Sequence, residues 1–574
     1  MASTSQPSAT RKLIRVRGIV QGVGFPLCVH LAHMLGLTGY VLNSSAGVTI
    51  EIEGEDTRVR EFLEVLRHKP PPLAQMEEFS VVDLQPLGDA AFVIRHSQAE
   101  AGEFVLVSPD VATCDDSWSE FGDPANRRYG YPFTNCTNCG PRYTIIRDIP
   151  YDRPMTTMAS FRMCGLCQAE YEDPSNRRFH AQPNACTTCG PALALVKSGG
   201  KFPEPFSYVA AQSQAIIRQA RQLLGEGKIV AVKGLGGFLL ACDATKDDAV
   251  RLLRQRKRRS DKPFALMARD VACVESFCII AGADRAALLS ARRPIVVMQR
   301  RQSAAISAAV APGNKTIGVM LPYTPLHYLL FSDSPGGPSA FVALVMTSGN
   351  ITEEPIVTSN EEAWQRLQTV ADWFVFHNRD IYMRADDSLI RTFGGRERTM
   401  RRSRGYVPHP VDLGVPLCEV LACGAELKKT LCLTKGHYAF LSQHIGDLEN
   451  YETLVFFEET LANLKKLFRV DPRAVAHDLH PVISARSLRS TLISNRRSVC
   501  SITTPTLPVT WQRITSPARS LAWPSTAPAM EPTERSGVGN FLSLTLSASN
   551  GGRICATCRC PSAMPPRDIR GVSR

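Results

Sequence analysis

No run of about 18 uncharged apolar residues occurs in the 574-residue chain, so the sequence offers no hydrophobic membrane-spanning helix. The opening stretch, MASTSQPSATRKLIRVRG, lacks the apolar segment of a secretory leader. Lysine is missing from residues 482–574, which hold 12 Arg against 3 acidic residues, so +9 of the net charge of +12 falls in that tail. The remainder is close to balance, and charge alone gives no footing to a nucleic-acid-binding class. Also lacking is any Arg or Lys between Phe25 and Thr57. What is present suits a globular protein: 44% hydrophobic and 21% charged residues, over a length that predicts several domains.

The most ordered feature is a cysteine pattern written twice. Cys114-x-x-Ser117 precedes Asp123-Pro124-Ala125-Asn126-Arg127-Arg128-Tyr129 and then Cys136-x-x-Cys139-Gly140-Pro141. Fifty residues on, Cys164-x-x-Cys167 precedes Asp173-Pro174-Ser175-Asn176-Arg177-Arg178-Phe179 and then Cys186-x-x-Cys189-Gly190-Pro191. A CxxC turn aims two thiolates at one metal, and two such turns close a tetrahedral Zn²⁺ site. Disulfides or scattered core cysteines account less well for spacing this regular. Cys114, Cys136 and Cys139, and separately Cys164, Cys167, Cys186 and Cys189, are therefore the candidate zinc ligands. Ser117 is a poorer ligand than a thiolate, so the first site is expected to be weakened, completed by water or a nearby His, or empty. The role is structural, since four thiolates leave no open position. Residues 110–195 hold few apolar side chains and are expected to need the metal to fold. Cysteines arranged as metal pairs suit a reducing, cytoplasmic setting.

Ahead of this repeat, residues 10–97 alternate as strands around two helical patterns, which predicts a βαββαβ sandwich. The turn Gly18-Ile19-Val20-Gln21-Gly22-Val23-Gly24-Phe25 opens a helix, where backbone N–H groups can cradle a phosphate. With Gly39-Tyr40-Val41-x-Asn43 it closely resembles the acylphosphatase family. That resemblance implies a catalytic Arg directly after the Phe and an Asn, here Asn43, that positions the attacking water. Pro26 stands where the Arg is expected, so the fold is expected with impaired phosphatase chemistry.

In residues 205–405, Ile229 to Lys233 reads as a buried strand ending at Gly234-Leu235-Gly236-Gly237. A helix over Ala249–Lys257 runs into Arg256-Lys257-Arg258-Arg259-Ser260-Asp261-Lys262-Pro263. Taken alone, such a charge run is more often a solvated surface. Together with Val319-Met320-Leu321-Pro322-Tyr323-Thr324-Pro325-Leu326-His327, Met346-Thr347-Ser348-Gly349-Asn350, Arg384-Ala385-Asp386-Asp387-Ser388 and Arg401-Arg402-Ser403-Arg404-Gly405-Tyr406, it resembles the YrdC-like α/β domain. The resemblance implies a cationic cavity that makes an acyl-adenylate. Lys257, Arg258 and Lys262 would then bind phosphates of ATP, with Ser348, Asn350, Ser388 and Arg402 lining the nucleotide pocket. Double-stranded RNA binding also attaches to this fold, but no second basic face or aromatic interleaving accompanies it.

Residues 415–481 continue as α/β sequence, with an amphipathic helix over Thr453–Phe468. The order of modules resembles the HypF carbamoyltransferase family of [NiFe] hydrogenase maturation, over about residues 10–481. The expected fold class is thus multidomain α+β: an acylphosphatase-like domain, tandem C4 zinc knuckles, a YrdC-like domain, the start of a TsaD-like domain, and a disordered tail. Family members carry HHHAH in the last domain, which this chain lacks. Val499 to Pro508 can be encoded by bases that read VQHHHAHIA one frame over, so a frameshift just after Pro481 is expected to have produced residues 482–574. Cys555-x-x-Cys558-x-Cys560 would then carry no metal-site meaning.

The family resemblance implies that carbamoyl phosphate is dephosphorylated and that ATP (with Mg²⁺) converts the carbamate to carbamoyl-adenylate. The carbamoyl group then passes to the carboxyl-terminal cysteine of a HypE-type acceptor, as precursor of a cyanide ligand. The rival readings are a zinc-containing YrdC-like RNA-binding protein and an inactive truncated remnant of the enzyme.

Overall fold

The computed structural model describes residues 9–20, 23, 27–44, 47–71, 73–98, 104–202, 208, 212–301, 305–333, 337–351, 354–424, 429–478 and 498–502. Pro26, where the acylphosphatase resemblance expects its Arg, lies outside them, as does most of the tail.

The first module is formed by β1 (Ala9–Ile19), α1 (Leu27–Met34), β2 (Thr38–Ser44), β3 (Gly47–Glu55), α2 (Asp56–His68), β4 (Gln75–Leu84) and β5 (Phe92–Gln98). These strands make one sheet in the order β4-β1-β3-β2-β5, antiparallel except for the β2–β5 pair. Strand periodicity of two sorts its faces. Ile14, Val16, Val48, Ile50 and Ile52 are buried, as are Val59, Phe62 and Leu66 of α2, which packs on β1 and β3. The elements follow as βαββαββ, five strands where the expected βαββαβ has four.

The cysteine repeat contributes two matching short helices, α3 (Asp115–Gly122) and α4 (Gly165–Glu172), and a strand, β6 (Leu193–Lys197). The following segment supplies α5 (Ser213–Gly225), β7 (Val230–Lys233), β8 (Phe238–Asp243) and α6 (Asp247–Arg256). After these come β9 (Ala265–Met267), α7 (Val271–Glu275), β10 (Cys278–Ile279), α8 (Gly282–Leu289), β11 (Ile295–Arg300) and β12 (Thr316–Met320). The series closes with α9 (Pro325–Phe331), β13 (Leu344–Ser348), α10 (Asn360–Leu367), β14 (Trp373–His377), β15 (Leu389–Phe393) and β16 (Arg396–Arg401). One mixed sheet runs β16-β15-β11-β12-β9-β13-β8-β7-β14-β6, with β10 beside β11.

Successive residues of its central strands point to opposite cores. Ala231, Leu240, Leu266 and Val345 join α6, α7, α8 and α10 on one face. Val230, Val232, Leu239 and Met346 join α5 and α9 on the other. The second core also takes in Phe121, Tyr131, Phe133, Ile145 and Met158 from the cysteine region. In keeping with its scarcity of apolar residues, the region encloses no separate core of its own. Its few apolar residues are large, and they complete a core that the sheet supplies. Strand β6 likewise extends the sheet directly from the second knuckle, pairing Leu193–Lys197 with β14.

A separate compact unit holds β17 (Val411–Leu417), β18 (Val420–Cys423) and β19 (Leu431–Leu441), with β20 (Ala474–Asp478) and β21 (Ser498–Ile502). Its sheet order is β17-β19-β18-β20-β21, with β18, β20 and β21 parallel. The helix between them in sequence, α11 (Tyr451–Phe468), is capped by Asn450, whose side chain accepts from Thr453 N, and belongs to the larger unit. Strand β21 falls within the stretch expected to be irregular. Its Val499, Cys500 and Ile502 suit a strand, but five residues are too few for periodicity to declare itself. Among the described residues no helix is long and apolar enough to cross a membrane.

Candidate functional site

Cys114 and Cys164 are the N-caps of α3 and α4. Ser117 and Cys167 therefore sit one turn along, on the same face as the caps. The second halves of the motifs fold back so that Cys164, Cys167, Cys186 and Cys189 place their sulfurs within 4.8 Å of one another, and Cys114, Cys136 and Cys139 do likewise. Sulfur separations of 3.8 Å (Cys164–Cys186) and 3.9 Å (Cys186–Cys189) match the edge of about 3.8 Å that Zn–S bonds of about 2.3 Å give a tetrahedron. The four-cysteine set thus fits structural zinc. In the first knuckle the Ser117 hydroxyl stands at the fourth corner, 3.5 Å from Cys114 Sγ and 3.3 Å from Cys139 Sγ.

The linkers cross between the copies. Arg127 of the first donates to Cys167 Sγ of the second, at 3.5 and 3.4 Å. Arg177 of the second donates to Ser117 Oγ of the first, at 2.5 Å. Buried Arg128 reaches Glu170, Asn184 Oδ1 and Ala185 O, while buried Arg178 reaches Glu120 and Asn135 O. Apart from Asn184, whose counterpart position is Thr134, the partners are offset by the fifty-residue repeat. The arginines of DPxNRR were not singled out from sequence, although their duplication was the available signal.

The second assembly lies around the end of α6. Lys257 is buried, and its Nζ donates to Ser348 O (2.7 Å), Asn350 O (2.5 Å) and Asn350 Oδ1 (2.6 Å). Ser348 Oγ donates to the same Asn350 Oδ1 at 2.9 Å. Three of the expected residues therefore form one hydrogen-bonded group. Burial first, then Arg259 and Lys262, pull the Lys257 amine down to about 7, against Asp386 and Glu354.

Arg258 goes elsewhere. Helix α6 ends in a Schellman arrangement, with Arg259 N bonded to Arg254 O and Arg258 N to Gln255 O. Arg258 occupies the left-handed position at φ 51°, normally a glycine site. The reversal leaves Arg258 exposed, lining a surface cavity with Arg251, Arg254, Arg300 and Asn314. Arg259 instead reaches the lysine's corner and donates to Thr347 Oγ1 at 3.2 Å. Lys262 is exposed and faces the same field, as its influence on Lys257 records. The other two expected residues hold backbone in place. Ser388 is fully buried, donates to Arg404 O and accepts from Ser403 N. Arg402 donates to Tyr406 O and His409 O.

Residues not singled out as ligands complete the surround. Asp386 pairs with Arg401 at 2.7 Å, and His444 N donates to Arg402 O. Burial, with Arg401 and Lys262 nearby, holds the His444 imidazole neutral. The glycine turn is pressed against this segment: a side chain on Gly236 would meet Ala385 O at 2.2 Å. Asn43 lies elsewhere, half-buried at the end of β2 opposite Val48.

Comparison with known proteins places these parts in one family. The acylphosphatase model matches residues 12–94, and the HypF finger model matches 113–146 and 163–196. The Sua5/YciO/YrdC model, described as telomere recombination, matches 222–403. The HypF Kae1-like domain model matches 417–504, past the break expected at 481. Carbamoyltransferase HypF2 of Cupriavidus necator is 46% identical over 490 residues, covering 83% of this chain and 60% of that protein. Carbamoyltransferase HypF of Rhizobium leguminosarum is 46% identical over 486 residues, covering 84% and 61%. A crystal structure of full-length HypF in its phosphate- and nucleotide-bound form superposes with a TM-score of 0.80 at 44% identity, covering 87% of this chain and 64% of that one. The chain spans about 60% of the length of the curated relatives it matches. It belongs to the HypF carbamoyltransferase family.

Proposed function

We propose that the chain performs the carbamoyl-activating chemistry of its family: it takes carbamoyl phosphate and ATP to carbamoyl-adenylate and hands the carbamoyl group to the terminal cysteine of a HypE-type acceptor. The observation that carries this reading is the buried Lys257 amine on Ser348 and Asn350, with Arg259 and Lys262 in its field. Those cations suit a triphosphate. Ser348 and Asn350 present polar groups at the end of β13 to orient the nucleotide. A carbamate oxygen attacks the α-phosphorus, the bond to the β-phosphate oxygen breaks, and pyrophosphate leaves with its charge met by the same cations. Neutral His444 adds a polar group without adding charge. Enclosure protects a carbamate that water would destroy.

Zinc, held by Cys164, Cys167, Cys186 and Cys189, would supply structural cross-linking and no chemistry. Asn43 is assigned the water-positioning role of an acylphosphatase. The setting is assigned as cytoplasmic, in keeping with free thiols throughout the described residues.

The test is carbamoyl-phosphate-dependent exchange of labelled pyrophosphate into ATP by the full chain. Exchange that ignores carbamoyl phosphate, or its absence with zinc-loaded protein, overturns the reading. Transfer of labelled carbamoyl to purified HypE-type acceptor then separates a complete enzyme from one that stops at the adenylate.

A further inference from the structure

We propose that the two knuckles are one permanent and one exchangeable zinc site, the difference residing in Ser117 and the Arg177 that holds it. The inference rests on the zinc reading above and concerns what this chain's own residues do to it.

Backbone geometry does not distinguish the sites. Cys114 and Cys164 cap equivalent helices, and the first knuckle's sulfurs stand 3.6 Å (Cys114–Cys136) and 3.8 Å (Cys136–Cys139) apart, ready for one ion. The chemistry of the fourth corner does distinguish them. A cysteine there is a thiolate when zinc binds, whereas a serine hydroxyl keeps its proton and donates only a neutral lone pair. Arg177 engages that oxygen at 2.5 Å. A guanidinium in contact draws electron density from the hydroxyl and takes one of its two lone pairs. Its nearby charge also lowers the attraction of the pocket for a dication.

The counterpart contact falls wholly on a zinc ligand, whereas Arg177 comes within 3.8 Å of Cys114 Sγ but makes its shorter contact to the Ser117 oxygen. Arg127 lies against Cys167, a thiolate in a four-sulfur site that carries two net negative charges with zinc bound. There the guanidinium offsets excess charge and favours the loaded state. Across the first knuckle, three thiolates and zinc leave a single negative charge, so the same type of arginine offsets more than is needed to hold the ion. Access does not favour the first site, since Cys114 is partly exposed there and both Cys164 and Cys189 are in the second, so the difference rests on the fourth corner alone.

The experiment is zinc release from the full, zinc-loaded chain into a chromogenic chelator under native conditions. The expected result is two equivalents leaving in separate phases, the first at least about 100-fold faster, since even outer partners of a ligand shift metal affinity about 10–100-fold. Ser117→Cys should merge both phases into the slow one. Adding Cys167→Ser in that background should restore one fast equivalent, now from the second knuckle. Cobalt substitution reads the same difference spectroscopically, with sulfur-to-metal charge transfer rising by one thiolate's worth in Ser117→Cys. Two wild-type equivalents leaving together, or an unchanged fast phase in Ser117→Cys, overturns the inference while leaving zinc binding intact. A chain that binds no zinc at all overturns the zinc reading beneath it.

Discussion

Arg128 of the first knuckle and Glu170 of the second meet in a two-pronged ion pair, at 2.9 Å and 2.5 Å, with the guanidinium almost wholly buried. Arg178 and Glu120 repeat it in the opposite direction. Each knuckle is thus finished by the other's linker, and neither copy is an independent bead.

Arg128→Ala should therefore destabilise the pair of knuckles together. The truncation strands Asn184 Oδ1 and Ala185 O and takes from Glu170 one of its two arginines, at a cost of about 3 kcal/mol. Scanning calorimetry of the zinc-loaded chain reads this as a lowered transition. Arg60→Ala, which breaks an exposed pair within α2, should leave that transition unmoved.

Arg259→Ala is expected to cut pyrophosphate exchange by about 10²–10³-fold, the scale of losing one positioned charge at a reacting phosphate. Lys257→Ala should do at least as much. Arg258→Gly should leave exchange within about twofold and raise stability by about 1 kcal/mol, because it removes a side chain from a left-handed position. Equal loss from Arg258 and Arg259 variants would show that the helix end does not sort the two.

The Lys257 amine gives the site a pH signature. In the folded chain it titrates near 7, against 10.5 when unperturbed, so between those values the folded state binds less proton than the unfolded one. Its contribution to stability accordingly rises with pH across that window, its burial penalty being fully felt below about 7. Nucleotide phosphates favour the ammonium form, so ATP binding takes up a proton above pH 7. Affinity measured calorimetrically should weaken as pH rises from 7 to 9, by at most about tenfold per unit. Lys257→Gln should flatten that dependence.

Asp387→Ala removes the partner of Arg404, which is buried, bonded at 2.7 Å to Asp387 Oδ1 and stacked 3.5 Å over Tyr323. An uncompensated guanidinium there should cost about 3–5 kcal/mol, visible in the same calorimetric scan.

Much of this was legible in the primary structure, for identifiable reasons. The cysteine clusters come from short motifs whose spacing encodes their geometry, whereas the Lys257–Ser348–Asn350 group is reached through the resemblance to the YrdC-like domain. The choice between Arg258 and Arg259 does not, because it turns on one residue's φ at a helix end that no periodicity reports. The contributions of Asp386, Arg401 and His444 depend on segments 129 to 187 residues from Lys257; a sheet whose strand order is far from sequence order brings in the first two, and the backbone bond to Arg402 O brings in His444. The tail's β21 escaped notice because its partner, β20, provides the pairing that its own five residues do not announce.

Strand β6 has a practical bearing on how the protein is divided for study. It leaves the second knuckle and closes the outer edge of β14 along Leu193–Lys197. A fragment begun at residue 205 would bare that edge, with Phe374, Val375 and Phe376 behind it and the backbone donors and acceptors of β14 unpaired. Such an edge recruits strands from neighbouring molecules. Insolubility of that fragment would reflect a missing selvedge, cured by starting the chain ahead of the cysteines.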